Sequence, residues 1–74
     1  MTLDPDAGEY LWAQLRDILA ERIRHGDYPG RMPSELELAE EYGTARVTVR
    51  RAIAELAKMG LVRVLPGRGT YPVK

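Results

Sequence analysis

The sequence has no cysteine, only one histidine and no long apolar run in its 74 residues. Without cysteine the chain forms neither a disulfide nor a thiolate metal site, so a small apolar core must hold the fold. A bilayer-spanning helix needs roughly 20 apolar residues, and the acidic N-terminus is unlike a secretory signal, so we expect a cytoplasmic protein without a membrane segment. The chain also lacks a nucleophile–base pair, and we therefore expect no enzyme, no cofactor and no bound metal.

The residues that are present suffice for one folded domain. Apolar residues make up 45% of the chain and charged residues 30%, as in a globular protein rather than a disordered tail. Residues 1–8 have little apolar content. We expect them to form a flexible lead-in to a single domain over residues 9–74.

Charge is distributed unevenly along the chain, although its 11 basic and 11 acidic residues cancel overall. Residues 1–45 hold ten acidic residues and four arginines, whereas residues 46–74 hold seven basic residues and one glutamate. This split predicts a dipolar molecule with one basic surface that would orient a polyanion. The alternative is that the two halves neutralise each other across a contact inside the protein.

Apolar residues at steps of three and four predict a first amphipathic helix over residues 9–25. Trp12 lies at the edge of its apolar stripe, and Gly26 follows it as a left-handed C-cap. A capping-box pattern, in which Ser34 is followed by Glu37, predicts the start of a short second helix over residues 35–42.

A third helix is predicted over residues 46–59, ending at Gly60, with one apolar and one polar face. Its apolar face comprises Val49, Ala52, Ile53, Leu56 and Met59. Residues 61–65 and 70–73 are predicted to form two strands joined by a tight turn over residues 66–69. The predicted fold class is mainly α (α+β): a winged helix-turn-helix, with three helices followed by a two-stranded β-hairpin wing.

Four motifs at matching separations resemble the N-terminal DNA-binding domain of GntR-type bacterial transcription regulators. They are residues 32–39 (MPSELELA), 46–50 (RVTVR), 60–62 (GLV) and 67–70 (GRGT). The resemblance covers about residues 10–73. It implies a repressor-type reader of operator DNA, with the third helix in the major groove and the wing near the minor groove.

The resemblance also implies site residues and partners. The positions that match DNA-contacting positions of the family are Ser34, Arg46, Val47, Thr48, Arg50, Pro66, Gly67 and Arg68. It implies an inverted-repeat operator bound by a homodimer, and an effector ligand only where a further C-terminal domain follows.

The chemistry of these residue types agrees with those roles. Arginine forms paired hydrogen bonds with guanine or binds a phosphate, which suits Arg46 and Arg50, and Val47 suits a thymine methyl group. Arg51 shares the polar face and is a further candidate. The alternative for each arginine is an ordinary solvated helix surface, and for Gly67 a purely structural place in the hairpin.

The sequence departs from the family pattern at two positions that bear on affinity. Ala45 replaces a hydroxyl residue that would cap the third helix, and Thr44 is the candidate cap in its place. Leu36 replaces an arginine that commonly touches DNA. The leading hypothesis is sequence-specific binding of double-stranded DNA by a bacterial transcriptional regulator, a repressor. The alternative is a winged-helix module for protein interaction or assembly, whose basic face binds an acidic partner.

Overall fold

A computed structural model describes Leu3 and residues 10–73 of the chain. It contains three helices, α1 (Leu11–His25), α2 (Glu35–Tyr42) and α3 (Arg46–Lys58), followed by two strands, β1 (Val62–Leu65) and β2 (Gly69–Pro72). The strands pair antiparallel, with Val62 opposite Pro72 and Leu65 opposite Gly69. The predicted fold is confirmed. The lead-in predicted over residues 1–8 lies outside the described residues, except for Leu3, which packs against the core.

The core lies where the three helices meet the first strand. α3 packs against α1 on one side and α2 on the other, and β1 covers its last turn. The buried apolar side chains are Leu15, Leu19, Ala20, Tyr28, Met32, Leu38, Ala39, Val49, Ala52, Leu56 and Val62. Two of them, Tyr28 and Met32, come from the loop between α1 and α2, so this loop is part of the packed domain.

Met59 was predicted on the apolar face of the third helix, and this prediction is wrong, since its side chain is 50% exposed. The helix ends at Lys58, and the backbone N–H of Leu61 donates to the carbonyl oxygen of Leu56 at 3.0 Å. The chain therefore turns back after α3, and the core includes Val62 of β1 but not Met59. β1 begins one residue later than predicted, at Val62. β2 begins one residue earlier than predicted, at Gly69.

The hairpin is joined to the rest of the domain by a main-chain hydrogen bond and by a buried side chain. The N–H of Met32, in the loop before α2, donates to the carbonyl oxygen of Thr70 at 2.9 Å. The bond from the N–H of Val73 to the carbonyl oxygen of Leu61, also 2.9 Å, extends the pairing of the two strands by one residue. Because a two-stranded hairpin is not stable by itself, the Met32 bond and the burial of Val62 fix the wing relative to the helices.

The predicted capping box at the start of α2 is present. The N–H of Glu37 donates to Ser34 Oγ at 3.1 Å, and the N–H of Ser34 donates to Glu37 Oε1 at 3.0 Å. No such cap exists at α3, where Ala45 is the N-cap residue and makes no side-chain cap bond. The expectation that Thr44 caps this helix is wrong, because the helix begins one residue too late for its hydroxyl to serve as the N-cap.

Replacing Ser34 with alanine is expected to lower the free energy of unfolding by about 1 kcal/mol, since it leaves backbone N–H groups at the start of α2 unsatisfied. Urea denaturation followed by circular dichroism measures this. Thr44→Ala is the matched control, because it removes a hydroxyl from the start of a neighbouring helix that the hydroxyl does not cap. Its effect should stay within about 0.5 kcal/mol. Equal losses in both variants would contradict the assignment of the cap.

Candidate nucleic-acid interface

α3 has one face that is exposed to solvent and an opposite face that packs into the core. Val49, Ala52 and Leu56, on its inner side, are completely buried. On the outer side, Val47 is 64% exposed, and the side chains of Arg46 and Arg50 are 59% and 64% exposed. The sequence predicted that α3 has one buried and one exposed face. Arg46 and Arg50, which it assigned to DNA contact, point away from the protein interior.

Glu35, at the start of α2, binds both of these arginines. Arg50 donates from Nε to Glu35 Oε2 at 3.2 Å and from Nη2 to Glu35 Oε1 at 2.9 Å. Arg46 Nε lies 3.4 Å from the same Oε1. The hydrogen bonds from Arg50 are the main reason that the pKa of Glu35 lies below its usual range, so the carboxylate is charged at neutral pH and holds the two guanidinium groups side by side.

This arrangement bears on the uneven charge of the chain. The ion pairs join an acid from the acidic half to two arginines from the basic half, so part of the predicted basic surface is neutralised by an acid of the same molecule. Exposed ion pairs of this kind contribute only about 0–1 kcal/mol. A phosphate or a base edge can therefore replace the carboxylate at small cost, and the pairs hold the arginines in place without blocking them.

Arg51 lies in a different environment from Arg46 and Arg50. Its guanidinium carbon is 4.4 Å from the centre of the Trp12 ring on α1, and that of Arg16 is 5.4 Å from the same ring. Tyr10 stacks on Trp12 with the ring centres 6.1 Å apart. Adjacent helix positions point about 100° apart, so Arg51 turns toward α1 and lies outside the cluster around Glu35.

The remaining predicted site residues are divided between the start of α2, α3 and the tip of the wing. Ser34 is exposed with its hydroxyl in the capping box, and Thr48 is half-buried on α3. Pro66, Gly67 and Arg68 form the exposed turn between the strands, closed by the Arg68 N–H donating to the Leu65 carbonyl oxygen at 2.9 Å. Gly67 has φ 74°, a left-handed conformation that favours glycine.

A groove of about 440 Å³ separates α3 from the wing. Its walls include Ser34 and Glu35 from the start of α2, Arg50 from α3, and Gly69 and Thr70 from β2. Two of the three predicted DNA-contacting elements, the start of α2 and α3, thus share one concave surface with the residues of β2 that follow the turn of the wing. Arg68 is at the tip of the hairpin and does not line this groove.

Sequence reasoning assigned Glu35 to the first turn of a helix and Trp12 to the edge of the core, and missed what each contacts. Nothing in the sequence indicates that Glu35 meets residues 11 and 15 positions later, because that proximity depends on how α2 packs on α3. The sequence likewise does not indicate which arginines lie over Trp12, because the contact with Arg51 depends on the packing of α1 against α3.

The described part of the chain contains neither a metal-binding cluster nor a membrane-spanning helix. Residues 10–73 and Leu3 contain no group of three or more histidine, aspartate or glutamate side chains placed to hold a metal ion. Within the same residues, none of the helices is both long enough and apolar enough to cross a membrane.

Comparison with known proteins places these features in a family. A model described as bacterial regulatory proteins, gntR family, matches residues 11–71. The chain is 49% identical over 65 residues to an uncharacterized HTH-type transcriptional regulator of Rhizobium meliloti (strain 1021), covering 85% of this chain and 27% of the relative. It is 39% identical over 66 residues to the HTH-type transcriptional repressor NagR of Bacillus subtilis (strain 168). This match covers 86% of this chain and 27% of NagR. The chain thus spans about a quarter of the length of the curated relatives it matches.

Solved structures agree with the sequence comparison. AraR(DBD) in complex with operator ORX1 superposes with a TM-score of 0.86 at 27% identity, covering 99% of this chain and 93% of that one. AraR(DBD) in complex with operator ORE1 superposes with a TM-score of 0.79 at 31% identity. This superposition covers 84% of this chain and 78% of the AraR(DBD) chain.

Proposed function

Because the chain belongs to the gntR family of bacterial regulatory proteins, we propose that it is the operator-binding domain of a transcriptional repressor. It binds double-stranded DNA sequence-specifically, with α3 in the major groove and the wing near the minor groove. The expectation that the chain is not an enzyme is confirmed by this family, whose matched members are named as transcriptional regulators and repressors.

The observation that carries the proposal is the exposed arginine-bearing face of α3, held against a fully buried inner face. A helix that enters a groove must be rigid on its inner side and free on its outer side. Arg46 and Arg50 lie one helical turn apart and can reach neighbouring bases or a base and a phosphate, because residues near the N-terminus of such a helix come closest to the base edges. The operator complexes of AraR(DBD), which share this fold, support DNA binding by a domain of this architecture.

The other predicted residues have proposed roles that follow from their positions. Val47 is apolar and exposed, which suits contact with a thymine methyl group. Ser34, at the start of α2, and Thr48, on α3, are short hydrogen-bonding residues that suit backbone phosphates. Arg51, held over Trp12, suits a phosphate at the outer edge of the groove. Gly67 and Arg68 form the tip of the wing, where arginine suits a narrow minor groove.

The proposed biological unit on DNA is a homodimer on an inverted-repeat operator. One domain covers only a few base pairs, and two-fold symmetric binding doubles the number of contacts. Since the chain spans only about a quarter of the length of the curated relatives, an effector ligand belongs to a further domain where one follows. The proposed site of action is the cytoplasm, where bacterial DNA is found.

The alternative is a winged-helix module whose basic face binds an acidic protein. Such a module would bind DNA only through charge and would not prefer one DNA sequence over another. Selection of bound duplexes from a random pool separates the two. A palindromic consensus is expected, and it would establish sequence preference and dimeric use together. Recovery of unrelated sequences would favour the interaction module.

Binding of one domain to a duplex is expected to be weak and strongly dependent on salt, because it rests on phosphate contacts by exposed arginines. Each phosphate contact contributes a slope of about −0.9 in a plot of log affinity against log salt concentration. Fluorescence anisotropy with a labelled duplex between about 50 and 200 mM salt measures this slope. An affinity that does not change over this range would contradict the proposal.

A further inference from the structure

We propose that Arg31 is a further phosphate-contacting residue and that Gly69 provides the place on which its side chain lies. This inference rests on the proposed function, because it assigns a role in DNA binding to a residue outside the predicted site.

Arg31 is fixed to the wing through its neighbour and through its own side chain. The adjacent residue, Met32, is buried, and its N–H donates to the carbonyl oxygen of Thr70 on β2 at 2.9 Å. A Cβ added at Gly69 would lie 2.7 Å from Cδ and 3.1 Å from Cγ of Arg31. The aliphatic stem of Arg31 therefore lies flat against the first residue of β2, in space that only glycine leaves open.

Gly69 has φ 123°, a conformation that side chains of L-residues rarely adopt. Its place in the hairpin accounts for this conformation, but it does not account for the close approach of Arg31. Glycine at position 69 therefore has two effects. It adopts the φ that the hairpin requires, and it leaves room for the side chain of Arg31, which comes from the loop before α2.

The positive charge of Arg31 is not matched by a bonded carboxylate. Within residues 10–73, Arg31 forms no hydrogen bond or ion pair, whereas Arg46 and Arg50 share Glu35. Glu37 is near enough that Arg31 contributes to lowering its pKa, yet the Glu37 carboxylate is bonded to the N–H of Ser34. Arg31 thus keeps an exposed guanidinium whose donors are open to an incoming acceptor.

The groove places this guanidinium on the DNA-facing side of the domain. Arg31 lines it together with Ser34 and Arg50 and with Gly69 and Thr70 of the wing. A sugar–phosphate backbone that passes between a helix in the major groove and a wing near the minor groove runs along this concave surface. Arginine matches the geometry of a phosphate with two parallel hydrogen bonds, so the structure assigns Arg31 to that backbone.

Arg31→Met is the test variant, because it keeps most of the stem that packs on Gly69 and removes the charge. It is expected to lower the magnitude of the salt slope by about 0.9, and to weaken binding equally for the selected duplex and its single-base variants. The affinity deficit relative to wild type should then shrink about three- to fourfold between about 50 and 200 mM salt. Anisotropy titrations at several salt concentrations measure both effects, and thermal unfolding checks that the variant remains folded.

Arg24→Met is the matched control, since Arg24 is an exposed arginine in the last turn of α1 and does not line the groove. It should keep the wild-type slope. A wild-type slope in Arg31→Met would overturn this inference while leaving the proposed function intact. Wild-type protein without salt-dependent duplex binding would overturn the proposed function, and the role of Arg31 with it.

A second pair of variants tests the role of Gly69. Gly69→Ala displaces the Arg31 side chain and is expected to reduce the salt slope as much as Arg31→Met does. In the Arg31→Met background, the same substitution should leave the slope unchanged, because the charge it displaces is already absent. A wild-type slope in the single variant Gly69→Ala would overturn the proposed seating of Arg31.

Discussion

Replacing Arg50 with alanine is expected to abolish the preference for one base pair of the selected duplex, a loss of about 1–3 kcal/mol at that position. Arg50 is the residue of the predicted site with the best-defined geometry, since its Nε and Nη2 donate to the two carboxylate oxygens of Glu35 at 3.2 and 2.9 Å. A side chain that is already ordered loses less entropy when it binds a base. The measurement is anisotropy of the variant with the selected duplex and with each of its single-base-pair variants.

Glu35 adds a second effect that has to be separated from the first. Without Arg50, the Glu35 carboxylate loses its two strongest hydrogen bonds and leaves a negative charge beside the DNA backbone. Affinity for every duplex is then expected to fall, in addition to the loss of discrimination. In the double variant Arg50→Ala with Glu35→Gln, general affinity should recover while the lost preference does not.

Arg24→Ala is the control for this experiment, because it removes an exposed arginine from a helix outside the groove. It should change neither the preference nor the general affinity. If Arg50→Ala bound all single-base variants with the wild-type order of affinities, Arg50 would not read a base, and its place on α3 would be that of a solvated helix face.

Replacing Leu56 with alanine is expected to have the largest effect on stability, a loss of about 2–5 kcal/mol. Leu56 is completely buried where α3 meets both α1 and β1. A domain of this length is typically stable by about 4–11 kcal/mol, so the substitution removes a large share of the total. No disulfide is available to compensate in this cysteine-free chain. Urea denaturation, followed by the fluorescence of Trp12, measures the loss.

Leu36→Ala is the matched control, since it is the same substitution in a helix at a side chain that is 49% exposed. Its effect is expected to stay within about 0.5 kcal/mol. Similar losses in the two variants would mean that Leu56 does not occupy the packed core described here.

The sequence predicted the features of the site that depend on a single helix. It did not predict the features that depend on contact between two elements. The exposure of Arg46, Val47 and Arg50 follows from a period of 3.6 residues, because the opposite positions are apolar. The pairing of Arg50 with Glu35 does not follow from any local pattern. It requires α2 to cross α3 near both N-termini, and many arrangements of two amphipathic helices satisfy the same sequence pattern.

The amino-acid sequence by itself determined the number, kind and approximate limits of the helices and strands, since apolar spacing, capping residues and turn residues act within a few positions of one another. Only the tertiary structure decided that Met59 is exposed, that Arg51 lies over Trp12 and that Arg31 lies on Gly69. The physical reason is that each of these depends on the close packing of segments distant in the chain. Packing of that kind is set by the fit of whole surfaces rather than by any short run of residues.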